Sequence, residues 1–251
     1  MLLKDKNAVI YGGGGSIGGA VARAFGREGA RVFLAGRTPA TLEVVADDIR
    51  ASGGRADIAQ VDALDGAAVE AHAEAVVAAA GRIDISFNVI NHNDVQGTPM
   101  AEMDVDDYLA PIVTCVRTNF LTQKAAARRM IGSGGGVILN FGGSGDPLPG
   151  YSLGGLQTAF EALESMRKQL SSEYGKYGVR VVTLRTGGVP ESLPRGFAGR
   201  DQLVKSLDDL TMTGRAATLE DVGNVAAFVA SDKARTMTAA TVNVSAGALI
   251  D

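Results

Sequence analysis

The chain has 251 residues, of which 46% are hydrophobic and 21% are charged. This length suffices for one large α/β domain or two small ones, and no linker divides the chain, so we predict one domain over residues 1–251. The net charge of −4, with both signs interspersed, provides no basic stripe. Nucleic acid and anionic membranes are therefore not expected as partners.

Cys115 is the single cysteine. One cysteine cannot form an internal disulfide, which fits a reducing compartment, and its ordinary role is that of a small buried hydrophobic residue. The first residues lack the apolar core of a signal peptide, and no uncharged apolar run reaches the length of a membrane span. We therefore expect a cytoplasmic protein.

Strand and helix patterns alternate along the chain. After a first strand from Asn7 to the glycine run, the predicted strands cover residues 31–35, 56–61, 83–89, 137–141, 179–184 and 241–244. The predicted helices cover the segment between the glycine run and Gly29, then residues 41–52, 66–80, 105–131, 155–174 and 219–230. Pro111 is expected to start the main body of its helix or to kink it.

Repeated alternation of strand and helix requires right-handed crossovers and a parallel sheet that is covered on both faces. The predicted fold class is therefore α/β: a single-domain, doubly wound Rossmann fold with a seven-stranded parallel sheet and helices on both faces.

A glycine-rich turn joins the first strand to the first helix. Glycines let the chain turn tightly and approach a pyrophosphate without a Cβ in the way, and the helix N-terminus then directs unpaired N–H groups at the phosphates. A second buried strand follows, which favours a dinucleotide site over a flexible surface loop. The predicted phosphate-binding residues are Gly12, Gly14, Gly15, Ser16, Ile17 and Gly18.

The end of the second strand indicates which dinucleotide binds. An acidic residue there bonds the ribose hydroxyls of NAD, whereas an arginine accommodates the extra phosphate of NADP. Here the chain has Arg37, whose guanidinium can grip a phosphate with two hydrogen bonds. We predict NADP, with NAD as the alternative cofactor and an ordinary solvated charge as the competing interpretation of Arg37.

Motifs over nearly the whole chain resemble those of the short-chain dehydrogenase/reductases. Tyr11 to Gly18 is similar to the family's TGxxxGIG motif, and its Ser-Ile pair is similar to that of the enoyl reductases of fatty-acid synthesis. The resemblance implies that Asp62, with Ala63 beside it, lies at the adenine, and that Asn88 begins the NNAG motif.

The resemblance also implies a set of catalytic positions. Asn119 matches the asparagine of the family's catalytic tetrad. The family's Ser, Tyr and Lys work together because an ammonium near the phenol lowers the pKa of the group that relays the proton. At those three positions this chain has Gly143, Leu156 and Phe160, and no lysine between residues 124 and 168 could restore the pair.

Two hydroxyl residues near these positions remain candidates for the pocket. We predict catalytic roles for Ser144 and Tyr151 beside Asn119, with loop packing as the competing interpretation of Tyr151. The usual Pro-Gly after the sixth strand reads Thr186-Gly187, and both residues are predicted to border the nicotinamide. The family motif that begins at Asn88 continues as Val-Ile-Asn, so the reactive end of the site is less preserved than the adenine end.

Both histidines are interpreted without a catalytic role. His92 follows the altered motif and is expected to be a solvated turn residue, and His72 lies on a predicted helix. Neither has the neighbours that a metal ligand needs, so no metal site is predicted.

Two functions remain open at this stage. One is an oxidoreductase with an altered acid–base group, acting on a small-molecule substrate under a lid at residues 186–215. The other is a non-catalytic nucleotide-binding sensor or partner subunit of the same fold. The resemblance implies a homodimer or homotetramer, and the small residues Ala125, Ala126, Ala127 and Ala159 suggest close packing with a partner.

Overall fold

The computed structural model of the protein describes residues 1–143, 151–194, 196 and 199–250. Within them the strands are β1 (Asn7–Tyr11), β2 (Arg31–Gly36), β3 (Arg55–Gln60), β4 (Ile85–Asn88), β5 (Gly136–Gly142), β6 (Val179–Arg185) and β7 (Ala240–Asn243). The helices are α1 (Ser16–Arg27), α2 (Pro39–Ala51), α3 (Gly66–Ala80), α4 (Val105–Ile131), α5 (Gly155–Tyr174), α6 (Arg200–Asp209) and α7 (Leu219–Ala230).

The described strands form one seven-stranded sheet in the order β3-β2-β1-β4-β5-β6-β7, and all neighbouring pairs are parallel. The predicted fold is therefore confirmed. Because the order reverses between β1 and β4, their carboxyl ends flank a crevice, which is where open α/β sheets bind ligands.

Two hydrophobic cores cover the sheet, one on each face. Alternate residues of β1 point to opposite faces, as the two-residue period of a strand requires: Ile10 enters one core and Val9 the other. Helices α1, α2 and α7 cover the face of Ile10, whereas α3, α4 and the end of α5 cover the face of Val9. Residues of both cores are almost fully removed from solvent.

Most predicted elements are present, with ends shifted by no more than two residues. Helix α4 begins six residues before Pro111 and continues through it, so Pro111 does not start the helix. Helix α6 was not predicted: it is short, none of its residues is fully buried, and its apolar face consists of Leu203, Val204 and Leu207 alone. It lies inside the segment that we predicted to be a substrate lid.

The four alanines that we expected to pack against a partner are in fact core residues. Ala125, Ala126, Ala127 and Ala159 are all buried within this chain, so their small size serves packing inside the protomer. Within the part of the chain that the structure describes, no helix is both long and apolar enough to cross a membrane.

Candidate cofactor site and reactive end

A cavity of about 300 Å³ lies in the crevice at the carboxyl ends of β1, β2 and β4. Its lining includes residues from separate parts of the chain that we predicted to form one cofactor site. The predicted cofactor residues among its lining are Gly12, Gly14, Gly15, Arg37, Asp62 and Ala63. The fold thus brings together the phosphate-binding turn and both residues that were expected near the adenosine.

The glycine turn has a shape that side chains would fill. Gly12 has a φ of +84°, and a Cβ there would lie 2.6 Å from the carbonyl oxygen of Val89. A Cβ on Gly18 would collide with the carbonyl oxygen of Gly12. The first helical hydrogen bond of α1 joins Gly19 N to Gly15 O at 2.7 Å, so the N–H groups of residues 16–18 precede it. This cradle fits a pyrophosphate.

Arg37 and Asp62 both line the cavity, just beyond the ends of the neighbouring strands β2 and β3. Arg37 is exposed, its carbonyl oxygen accepts a hydrogen bond from Gln60 Nε2 at 3.2 Å, and no ion pair to its guanidinium is recorded among the described residues. Asp62 Oδ1 accepts a hydrogen bond from Leu64 N at 3.0 Å, which fixes the turn after β3. A charged donor and a carboxylate are therefore both available at this cavity.

Asn88 supports the site from beneath. It is buried at the end of β4, where Nδ2 donates to Thr122 Oγ1 at 3.1 Å and Oδ1 accepts from Ile90 N at 3.1 Å. It therefore holds β4 against α4 and is not part of the cavity lining. The rest of the altered motif, Val89, Ile90 and Asn91, does line the cavity.

A row of polar side chains crosses the sheet at one register beneath the crevice. Tyr11 pairs with Asn88, Asn88 with Asn140, and Asn140 with Thr183 on successive strands. Burial raises the pKa of Tyr11, whose hydroxyl lies 3.4 Å from His72 Nδ1. A buried polar group costs free energy unless it is hydrogen-bonded, so these partners fix the sheet against the helices.

Asn119 lies behind the crevice wall. Its side chain is 1% exposed; Nδ2 donates to the carbonyl oxygen of Cys115 at 3.0 Å, and Oδ1 accepts from Gln123 Nε2 at 3.3 Å. Gln123 Nε2 also donates to Asn140 Oδ1 at 2.8 Å, which links α4 to the sheet. Cys115 is fully buried, as expected. The amide of Asn119 is thus occupied inside the protein, and its predicted catalytic role stays a prediction.

Phe160 fills the space beside the end of β5. Its ring packs against Gly142 and Gly143, and a Cβ on Gly143 would lie 2.8 Å from Phe160 Cε2. Leu156, one turn earlier on α5, is buried. The sequence therefore has a glycine where the phenylalanine ring leaves no room for a side chain.

His92 is not the solvated turn residue that the sequence suggested. It is largely covered, and its ring contacts the ring of Phe160 edge-on, with centroids 5.9 Å apart. Burial lowers the pKa of His92, against the opposing effect of the Asp94 carboxylate. The expectation is wrong because a loop histidine carries no periodicity that could show which side chain covers it.

Tyr151 is half-buried, and its hydroxyl lies 3.3 Å from Ser206 Oγ on α6. Thr186 follows β6, where its N–H donates to the carbonyl oxygen of Gly142 at 3.2 Å, and Gly187 packs closely against Ala248. Both residues lie at the same edge of the sheet as the cavity, though neither lines it. Ser144 lies outside the described residues.

The family model described as enoyl-(acyl carrier protein) reductase matches residues 13–248. An uncharacterised oxidoreductase, YxbG of Bacillus subtilis, is 30% identical over 98% of this chain and 91% of its own length. D-threitol dehydrogenase of Mycolicibacterium smegmatis is 29% identical over 98% of this chain and 93% of its own. L-rhamnose 1-dehydrogenase (NAD(P)(+)) of Azotobacter vinelandii is also 29% identical, over 100% and 99%.

Solved structures share the fold. A short-chain dehydrogenase/reductase from Serratia marcescens superposes with a TM-score of 0.87 at 25% identity, covering 98% of this chain and 99% of that one. A short-chain type dehydrogenase/reductase from Mycobacterium ulcerans gives a TM-score of 0.90 at 24% identity, covering 99% and 91%. With the family model matching nearly the full length, the chain belongs to the short-chain dehydrogenase/reductase family of oxidoreductases.

Proposed function

We propose that this protein is an NADP-dependent oxidoreductase that interconverts an alcohol and a carbonyl on a small polyhydroxylated substrate. The observation that carries the proposal is the glycine turn at Gly12 and Gly18, where the backbone leaves no room for a Cβ. This turn lines a cavity that Arg37 also lines. When bound, the nicotinamide supplies the hydride acceptor or donor. The residues of this chain hold the dinucleotide and orient the substrate toward it.

The preference for NADP rests on charge. Strand β2 ends at Gly36, and Arg37 follows where an acidic residue would repel a phosphate. Asp62, which lines the same cavity, is proposed to contact the adenosine. The relative whose name includes NAD(P)(+) is consistent with a site that takes the phosphorylated cofactor.

The substrate class comes from the relatives. D-threitol dehydrogenase and L-rhamnose 1-dehydrogenase act on polyhydroxylated compounds, as does a third relative, galactitol 2-dehydrogenase of Cereibacter sphaeroides, which is 27% identical. We propose a polyol or sugar for this chain, because related proteins of nearly full-length coverage handle adjacent hydroxyls.

The reactive end is proposed to be atypical. Gly143, Leu156 and Phe160 stand at the family's Ser, Tyr and Lys positions, and none of them can exchange a proton. Phe160 packs on Gly143, so the two changes are mutually compatible in space. This feature also favours the second candidate function, a non-catalytic nucleotide-binding sensor or partner subunit that keeps the adenine half of the crevice.

Two measurements test the function. Titration should show tighter binding of NADP⁺ than of NAD⁺, and Arg37→Ala should weaken NADP⁺ binding by about 1.5–3 kcal/mol, the range for hydrogen bonds to charged groups, without changing NAD⁺ binding. Reduced nicotinamide absorbance should rise with a panel of polyols and sugars. Equal binding of the two cofactors contradicts the NADP assignment, and binding without turnover favours the sensor.

We further propose that the protein is cytoplasmic and forms a homodimer or homotetramer through α4 and α5. Val113 and Phe120 on α4 are 56% and 55% exposed, and an apolar depression beside Phe120 continues to Leu170 on α5. Exposed apolar surface of this kind favours burial against a second copy. Light scattering should give a multiple of the chain mass, and Phe120→Lys should reduce it; a single-chain mass for the wild type contradicts the proposal.

A further inference from the structure

We propose that His92 is the acid–base residue of the reaction, exchanging a proton with the substrate oxygen while hydride moves between substrate carbon and nicotinamide. This inference rests on the oxidoreductase function proposed above. It assigns to His92 the proton transfer for which Gly143, Leu156 and Phe160 have no suitable group.

A tight turn holds His92 between two residues that line the cavity. Asn91 Oδ1 accepts a hydrogen bond from Asn93 N at 2.7 Å, and Asn93 adopts a φ of +57°, so the turn closes around the residue between them. Asparagine is favoured in such a turn because its side chain bonds the backbone two residues on. Asn91 and Asn93 both line the cofactor cavity. His92 itself does not line the cavity: the turn places it between two lining residues, and its ring contacts Phe160.

The imidazole lies at the reactive end of the site. Its ring packs against Phe160, and Phe160 in turn packs against Gly143 at the end of β5. These are two of the three positions at which relatives of this family carry their proton-exchanging side chains. The chain has thus lost those groups and placed a titratable ring against the residues that replaced them.

The surroundings favour the neutral imidazole at pH 7. Burial against Phe160 lowers the pKa of His92, and the Asp94 carboxylate on the same loop opposes this effect. Among the described residues, Asp94 is the one charged group recorded as acting on the ring. A neutral imidazole accepts a proton, so the site suits alcohol oxidation at neutral pH and carbonyl reduction under more acidic conditions.

The reaction balances with His92 as proton acceptor and a bound NADP⁺ as the two-electron acceptor. In oxidation, the C–H bond of the alcohol would break as its hydride leaves for the oxidised cofactor, while the O–H bond would break and its proton would pass to His92. The substrate loses two electrons, a carbonyl forms, and the imidazolium releases its proton to water. Reduction runs the same steps in reverse.

Proton NMR tests the placement without any turnover. The chain has two histidines, so the imidazole C2–H signals of the untagged protein can be assigned with His92→Gln. We expect the His92 signal to titrate below the ordinary histidine pKa of about 6.5 and to shift when NADP⁺ is added. A His92 signal that ignores NADP⁺ overturns the inference.

Kinetics then test the role. His92→Gln should lower kcat on the best polyol by about 10²–10⁴-fold, with NADP⁺ affinity unchanged, and should abolish the fall in kcat/KM as pH decreases through the pKa of His92. His72→Gln is the matched control and should keep wild-type turnover. Full turnover of His92→Gln overturns this inference and leaves the oxidoreductase function standing. Absence of wild-type turnover on every substrate overturns both.

Discussion

The two halves of the crevice differ in whether backbone or side chains form their shape. The half formed by β1, β2 and β3 is built from backbone shape, with Gly12 and Gly18 packed where no Cβ fits. The half formed by β4, β5 and β6 is built from side chains, with Phe160 packed on Gly143 and against His92. Backbone shape tolerates almost no substitution, whereas packed side chains can change together, so the second half is where chemistry can vary on one fold.

Each half also contains one histidine, in a different setting. His72 lies under the adenosine half, against Tyr11, and burial lowers its pKa to about 4. His92 lies in the half formed by β4, β5 and β6, where its ring contacts Phe160 and its neighbours Asn91 and Asn93 line the cavity. His72 is a core residue, whereas His92 lies beside the residues at the end of β5. The sequence alone does not reveal this difference in their surroundings.

The largest expected effect comes from a side chain in the glycine cradle. Gly18→Val should abolish NADP⁺ binding and lower the free energy of unfolding by about 3 kcal/mol, because the new Cβ collides with the carbonyl oxygen of Gly12. Gly175→Ala is the control, since its φ is −56° and a Cβ there meets open space. Calorimetric titration and urea unfolding measure both. Normal binding by Gly18→Val contradicts a site built from backbone shape.

The next effect is the pH dependence of stability that the buried His72 should cause. Because the folded pKa of His72 is about 4 and the unfolded value is about 6.5, the unfolded chain binds a proton that the folded chain rejects. Stability should therefore fall as pH decreases from about 6.5 to 4, by about 3 kcal/mol from this group. Urea unfolding of wild type and His72→Gln at several pH values isolates it. A variant that loses stability in parallel with the wild type contradicts the assignment.

The sequence predicted the half of the crevice formed by β1, β2 and β3 better than the other half. Helix α4 was predicted with its observed ends because its apolar spacing and flanking residues are local signals. Helix α6 was missed because it is short and has only three apolar residues, none of them fully buried. The glycine turn and Arg37 were placed in one cavity because they follow strand ends. Strand ends on one edge of a parallel sheet converge, which a sequence reveals.

The reactive half lacks such signals. Which ring covers Gly143 depends on how α5 packs on the end of β5, and the direction of the His92 imidazole depends on the path of the loop after β4. No periodicity specifies either one. Asn119 was placed on the correct helix, but its burial, and the bond of its neighbour Gln123 to Asn140 on β5, depend on the rotation of α4 against the sheet. Side-chain partners across elements set these features, and a single sequence does not contain them.

A smaller effect tests whether Gly143 and Phe160 depend on each other energetically. Gly143→Ser should destabilise the protein by about 1–2 kcal/mol, because its Cβ would lie 2.8 Å from Phe160 Cε2. In a Phe160→Leu background the same change should cost about 1 kcal/mol less, since the leucine has no ring edge at that point. Thermal unfolding of the four proteins completes the double-mutant cycle. Additive effects would mean that the two positions are independent.

The smallest effect is expected at Tyr151, and it decides between two roles for a residue that the sequence assigned to catalysis. Its hydroxyl lies 3.3 Å from Ser206 Oγ, so the described geometry ties it to α6. A general acid contributes about 10²–10⁴-fold to the rate, whereas a single neutral hydrogen bond contributes about 0.5–1.5 kcal/mol, or roughly tenfold at most.

Tyr151→Phe should therefore lower kcat by less than about tenfold, and Ser206→Ala should have the same effect, because each removes one end of the same bond. The double variant should be no worse than either single one. Steady-state rates on the best substrate measure all three. A drop of about 100-fold or more for Tyr151→Phe, with Ser206→Ala near wild type, would instead give Tyr151 the proton-exchanging role and leave His92 as a packing residue.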